Sequence, residues 1–536
     1  MSSVISDNDT IALVRYASMI ARFTTDLLVC LRLATRLRYH LARIGLVCFA
    51  FLLDGMVVFG ASTANAQTTV KTITLSMQPQ AAISPLMYGA NYVWTTTPES
   101  QFPAWINQMT GYAGQPSAPA SLFRYPGGID GEWYDWANNS MYPGTNSPSY
   151  TAPGEPPGEF LDYVPPLATG MATRAASFVL STRNVIDPYT PTQITLLISQ
   201  QISNYLSIIG LYQSNVRYWE IGNEWWLQNG AGNDTAPLSS NSLLTTDLTR
   251  YAQLVAAAAP KIKAQYPNVK LYVTADWTTA GLAAANDEFV QLRKLVGPAA
   301  WALIDGISIH DYCGTTVAVS LCASIPAQVK AIEQDTGKID IFASEWSVSA
   351  TQSINDFGIQ NASLTVSALH DMAVAGINEA TYWPSIGFSP VIALTTGTNL
   401  TPTGMLFRAM SLLYEGEAIP TQVTNVSGPA GQTVAVAAEN QVAGRNGIAV
   451  IIPTNGDGSE TINLSLAGTG KTTVSTSSVL YAQYPNSGTN ATTAYMVPLS
   501  TTIVQQANGS LAAQFVLNPG TKGRGSNWEI AFLELQ

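Results

Sequence analysis

VRYWEIGNEWW (216–226) and IDIFASEWS (339–347) decide how this chain is read. Each is a short apolar run that delivers a glutamate, Glu224 or Glu345, beside a tryptophan. Near-continuous apolar runs of this length, rich in β-branched and aromatic residues, are the mark of strands buried on both faces. A carboxylate at the end of such a strand sits at the carboxyl edge of a parallel sheet, where ligands bind.

Working outward from these two runs, six more strand candidates line up: 84–94, 121–128, 175–182, 269–277, 305–312 and 378–384. Amphipathic stretches at 191–210, 243–265, 287–303, 325–336, 362–375 and 402–414 fall between most of them. Strands that alternate with helices indicate βα units, and eight such units predict an α/β fold, a (β/α)8 TIM barrel, over 84–414. Glu224 then closes the fourth strand and Glu345 the seventh. The connection 129–170, full of Pro, Gly, Tyr, Asn and Trp, is expected to shape a binding site at the functional face.

Beyond 415 the pattern changes to short alternating runs, 433–440, 447–455, 460–468, 478–484 and 527–535, separated by Gly, Asn and Pro. They predict a C-terminal antiparallel β-sandwich over 415–536. A strand at 68–77 precedes the barrel, and the segment 67–83 is expected to pair with that sandwich. The Ser-, Thr-, Ala- and Gly-rich segment 466–512 reads as mobile.

Residues 1–66 stand apart, with six arginines against four aspartates. The apolar run 44–61 follows Arg43 and precedes Ala64-Asn65-Ala66. A positive flank, an apolar run and small residues predict a cleaved export signal and a secreted or periplasmic protein; the alternative is a retained membrane anchor. No other stretch reads as a span. Cys313 and Cys322 are the two cysteines outside the leader, and in an exported chain they are expected to form a disulfide. No CxxC or HExxH pattern occurs, so no metal or other cofactor is expected.

The whole chain has 536 residues, 24 Lys+Arg against 35 Asp+Glu, net charge −11 and only 11% charged residues. That balance excludes the basic face nucleic-acid binding requires, and 46% hydrophobic residues exclude a disordered chain. The 12 tryptophans and 23 tyrosines suit a neutral carbohydrate, whose apolar faces stack on aromatic rings; ordinary barrel packing is the competing use for Trp94, Trp133, Trp136, Trp225, Trp226 and Trp346. The expected partner is a poly- or oligosaccharide, with no nucleic acid and no membrane once the leader is gone.

RYPGG (124–128), YDW (134–136), GNE (222–224) and SEW (344–346) together resemble the retaining glycoside hydrolases of clan A. Within the clan these phrases resemble the family 51 α-L-arabinofuranosidases, and ISPLMYGANY (83–92) is similar to the family 44 endoglucanases and their relatives. The resemblance implies Glu224 as acid/base and Glu345 as nucleophile. It also implies that Asn223 bonds the sugar 2-hydroxyl, that Arg124 lies beside the nucleophile and that Trp383 floors the sugar site. Tyr312 is expected to donate to Glu345, with His310 competing for that role. Trp225, Trp346 and Asp276 are further candidate substrate contacts. Glu220 reads as structural, facing the barrel interior or paired with Arg217. The resemblance implies hydrolysis of glycosidic bonds, best matched to an arabinofuranosidase. An endo-β-glycanase and a heparanase-like β-glucuronidase are the alternatives, and a non-catalytic carbohydrate-binding protein is the rival from another class.

Overall fold

Eight parallel strands close into a barrel in strict chain order. We number them β1 (Gly89–Asn91), β2 (Leu122–Tyr125), β3 (Ala175–Leu180), β4 (Val216–Ile221), β5 (Lys270–Thr274), β6 (Gly306–Tyr312), β7 (Ile341–Ser347) and β8 (Glu379–Tyr382). The structure is a computed structural model that describes residues 69–536 except 95–99, 101, 103–121, 143–153, 165–174, 187–190, 228–237, 313–323, 349–357, 386–392, 397–398, 428–431, 441–445, 457, 484–493 and 521–523. The export signal and the Cys313–Cys322 pair therefore lie outside the described residues.

Alternation along each strand sorts side chains into the barrel or toward the helices. Leu122, Tyr218, Tyr272 and Phe342, with Leu86, form an apolar plug at the amino end of the interior. Gly306 makes room for it, since a Cβ there would meet the Tyr272 ring at 2.4 Å. One step further along the strands the interior becomes polar, beginning with Arg124 and Glu220.

Helix Pro191–Tyr212 is one of the barrel's crossovers, with Ile202, Tyr205 and Ile209 in the core. Its residues Gln193–Tyr212 are long and apolar enough to cross a membrane, which corrects the expectation that the chain past the leader holds no such stretch. That expectation overlooked a helix whose buried stripe and exposed Leu196 and Leu211 are both apolar.

Apart from two short two-stranded ribbons, Tyr134–Asp135 with Ser140–Met141 and Thr395–Thr396 with Asn399–Leu400, the remaining strands form two packed sheets. One has the order Thr421–Ser427, Thr69–Leu75, Glu460–Ser465, Leu511–Leu517 and Thr502–Gln505. The larger one runs from Ala81–Ile83 through Gly416–Ile419, Val436–Asn440, Ile448–Asn455, Arg524–Leu535 and Val474–Gln483 to Ala494–Pro498. All their ladders are antiparallel except Thr69–Leu75 with Glu460–Ser465, which is parallel. The sandwich thus departs from the purely antiparallel expectation at the strand supplied by the other end of the chain. Within 466–512, strands Val474–Gln483, Ala494–Pro498 and Thr502–Gln505 replace the expected mobile segment. Their Val, Thr and Ser side chains suit a half-exposed pleat as well as a loop.

The run IAVIIPTN explains how the sandwich meets the barrel. Ile448, Val450 and Ile452 enter the core between the sheets, while Ile451 joins the barrel's core. The larger sheet is covered on both faces, so this strand is continuously apolar. Helix Ile359–Val374 packs against it and is buried on nearly every side.

Candidate active site

Glu224 and Glu345 reach the barrel mouth by two different backbone devices. After β4 the chain leaves the strand through Gly222 at φ 86°, and Glu224 itself adopts φ 41°. A left-handed non-glycine residue costs about 1–3 kcal/mol and is characteristic of functional positions. On β7 simple alternation from the inward Phe342 would turn Trp346 inward and Glu345 out. Instead β7 holds one more residue than either neighbour: Ile309 and His310 pair with Ala343 and Glu345, and on the other side Ala343 and Trp346 pair with Ala380 and Tyr382. This β-bulge at Ser344 shifts the register by one and exchanges the faces. Glu345 enters the site, and Trp346 packs outward against Tyr382 and Phe407.

Arg124 organises the interior and is fully buried. Its Nε donates to Glu220 at 2.7 Å, one Nη to Glu345 at 2.6 Å and to Asn91 at 3.1 Å, and the other Nη to Asn223 Oδ1 at 2.8 Å. Burial opposes its charge, but Glu220 and Glu345 outweigh burial and raise its pKa. The Tyr312 hydroxyl donates to the second Glu345 oxygen at 2.8 Å. His310 Nδ1 lies 2.8 Å from Glu224 and 3.4 Å from Glu345. Burial would push the Glu345 carboxyl up; His310, Arg124 and the Tyr312 hydroxyl together hold it below the usual carboxylate range.

One oxygen of each glutamate and one nitrogen of His310 all lie within 4.8 Å of one another. Three such donors could hold a cation, although the Arg124 guanidinium already occupies the Glu345 carboxylate. Separations of about 5–5.5 Å mark paired carboxylates that work by retention, against about 6.5–9.5 Å for inversion.

The other candidates divide. Asn223 Nδ2 is buried with no hydrogen-bond partner among the described residues. Trp383 is partly exposed and lies over Gly128, where a Cβ would meet its Cη2 at 2.2 Å. Trp225 is wholly buried, stacked on Tyr251, with Nε1 donating to the Thr274 carbonyl at 2.9 Å. Trp225 and Trp346 are therefore packing residues, out of a ligand's reach. Asp276 caps the short turn Trp277–Thr279 by accepting from Thr278 N. Trp94 and Trp133 are buried, and Trp136 joins Tyr125, Tyr134 and Phe178 in an aromatic wall behind the second and third strands. Glu220 does face the interior, but its partner is Arg124; Arg217 pairs with Glu379 at 3.1 Å.

Two buried residues at the site had no sequence signal beyond their burial among apolar neighbours. Asn91 ends β1 and bonds Arg124. Glu132 accepts from the Asn223 backbone N–H at 2.9 Å and from the Thr182 hydroxyl, and burial pushes its carboxyl up to about 7. It thereby tethers the loop that carries Glu224.

No protein-family model matches the chain, and no curated protein matches it. Solved structures do. A family 51 α-L-arabinofuranosidase from Bifidobacterium longum superposes with a TM-score of 0.55 at 13% identity, over 87% of this chain and 99% of that one. The thermostable family 51 α-L-arabinofuranosidase of Thermotoga petrophila gives 0.52 at 13% identity, over 88% and 100%. A family 44 xyloglucanase from Paenibacillus polymyxa gives 0.50 at 11% identity, over 87% and 100%. In its barrel and its sandwich alike, this chain shares the fold of family 51 and family 44 glycoside hydrolases.

Proposed function

We propose that the protein is a retaining glycoside hydrolase acting on neutral polysaccharides or their side chains. The observation that carries this reading is the pair Glu224 and Glu345, with oxygens within 4.8 Å at the mouth of the barrel. In the first step the Glu345 carboxylate attacks the anomeric carbon. The bond to the leaving oxygen breaks, and Glu224 gives that oxygen its proton. In the second step Glu224 takes a proton from water, the water oxygen bonds the anomeric carbon, and Glu345 departs as carboxylate. Arg124 and Tyr312 suit Glu345 to this work by holding it ionised and oriented. Asn223 Nδ2, which has no partner among the described residues, matches a sugar hydroxyl, and Trp383 offers a ring for a sugar face.

Within this class the best match is an α-L-arabinofuranosidase-like activity, supported by the RYPGG and SEW phrases and the fold. Export with removal of residues 1–66 and a Cys313–Cys322 disulfide belong to the same reading. Purified protein is to be assayed on aryl glycosides and on arabinan, xylan, xyloglucan and β-glucan, with product analysis. Monosaccharide release with retained anomeric configuration is expected. Oligosaccharide release would replace the arabinofuranosidase reading with an endo-glycanase, and no cleavage of any of these would overturn the enzyme reading. Two free thiols by mass spectrometry of the unreduced exported protein would refute the disulfide.

A further inference from the structure

The bulge that turns Glu345 into the site needs something to hold it, because an extra residue leaves a ladder locally unpaired. Asn91 does this from across the barrel wall. Its Nδ2 donates to the carbonyl of the bulged Ser344 at 3.0 Å, to Thr381 O at 3.0 Å and to Tyr382 O at 3.3 Å. Its Oδ1 accepts from the Arg124 Nη1 that also donates to Glu345. One amide thus grips the backbone one residue before Glu345 and the guanidinium that contacts the carboxylate.

The side chain is itself fixed. It is fully buried, and the backbone of Gly127 presses on it: a Cβ at Gly127 would lie 2.6 Å from Asn91 Oδ1 and 2.8 Å from its Cβ. The first glycine of RYPGG therefore serves Asn91, while the second serves Trp383. No other side chain combines this donor and acceptor so compactly. The two Nδ2 hydrogens are shared among the three carbonyls; an ionised aspartate has no hydrogen to give them, and leucine would leave them and Arg124 short of partners.

We propose that Asn91 is a positioning residue for the nucleophile: it locks the Ser344 bulge and the Arg124 fork together, and so sets both the aim and the ionisation of Glu345. This rests on the retaining-glycosidase reading above. Asn91→Ala and Gly127→Ala are to be compared with wild type on an aryl glycoside with a good leaving group. The second variant displaces the amide without deleting it and keeps the test open if the first does not fold. For each, kcat and KM, the pH profile of kcat/KM and the thermal midpoint are measured on folded protein. A misplacement of the order of 1 Å lowers kcat roughly 10²-fold, with KM little changed. The acid limb of the profile moves to higher pH, because Glu345 loses part of the hold that keeps it ionised. A fall in thermal midpoint alone, with kcat and the acid limb as in wild type, overturns the positioning role and leaves Asn91 a fold residue. Wild-type protein that turns over no glycoside overturns the underlying reading instead.

Discussion

His310 Nδ1 lies 2.8 Å from Glu224 Oε1. The same nitrogen is 3.4 Å from Glu345 Oε2, so one buried imidazole faces both carboxylates. Burial would lower its pKa, but Glu345 and then Glu224 outweigh burial and raise it. A raised histidine contributes stability that is complete below its unfolded pKa of about 6.5 and is lost as pH rises through the folded value. The lowered Glu345 does the reverse: its contribution is present above about pH 4.3 and lost as pH falls through its folded value. The pair is therefore expected to stabilise the fold most between about pH 4.3 and 6.5. Thermal melts across pH should give a wild-type-minus-His310→Asn difference largest in that window and shrinking on the alkaline side. A difference that grows with alkalinity would refute the assignment.

Removing the two glutamates should have separable kinetic signatures. Glu345→Ala is expected to lower kcat by about 10³-fold or more on every glycoside, with azide restoring part of it as a substitute nucleophile. Glu224→Ala should lose about 10²–10⁴-fold where the leaving group needs a proton, and far less on an activated aryl glycoside. Steady-state rates on a leaving-group series check both. Equal losses across the series for Glu224→Ala would remove it from the acid role.

Gly128 has φ 67° and ψ −157°, backbone that side chains avoid. With Trp383 Cη2 2.2 Å from a Cβ, Gly128→Ala should displace that ring and destabilise the protein by about 1–3 kcal/mol. Urea titration measures the stability, and the KM for a sugar substrate, expected to rise, reports the ring. Unchanged stability and KM would show that Trp383 is not packed as described.

In the sandwich, Lys71 Nζ lies 2.9 Å from Glu460, with side chains 2% and 4% exposed. Leaving one member of such a buried pair alone costs about 3–5 kcal/mol, whereas replacing both by apolar groups is often neutral. Lys71→Met and Glu460→Leu are expected to destabilise singly by that amount and much less together. Denaturant curves of the two single variants and the double variant test it, and additive losses would contradict it.

The barrel was legible because burial on both faces leaves a mark in composition: the eight strand runs and six of the helices read directly from apolar patterning, whereas the short helices Ile129–Trp133 and Pro157–Tyr163 lie in a connection whose Pro, Gly and Asn read as irregular. Glu224 and Glu345 were legible as charged residues set in apolar surroundings. The orientation of Glu345 was not, since alternation from Phe342 points it outward and the Ser344 bulge has no signature in the run IFASEWS. Trp225 and Trp346 misled for the same reason: an aromatic next to a site residue is equally good packing on the opposite face. Asn91 and Glu132 act through backbone groups of residues distant in sequence, and no local pattern records such a bond. Thr69–Leu75 read as a strand from its alternation, but its parallel neighbour was beyond any short-range rule.

That strand has a bearing on how the chain comes to be folded. It lies between Thr421–Ser427 and Glu460–Ser465, and Lys71 is separated from Glu460 by 389 positions. Neither partner exists until most of the polypeptide has been synthesised, whereas barrel neighbours such as Ala175–Leu180 and Val216–Ile221 are separated by a single helical crossover. Closure over so long a loop is entropically expensive and slow. The strand Thr69–Leu75 must therefore wait without its native neighbours through most of synthesis, and its docking is a late event in the folding of the molecule.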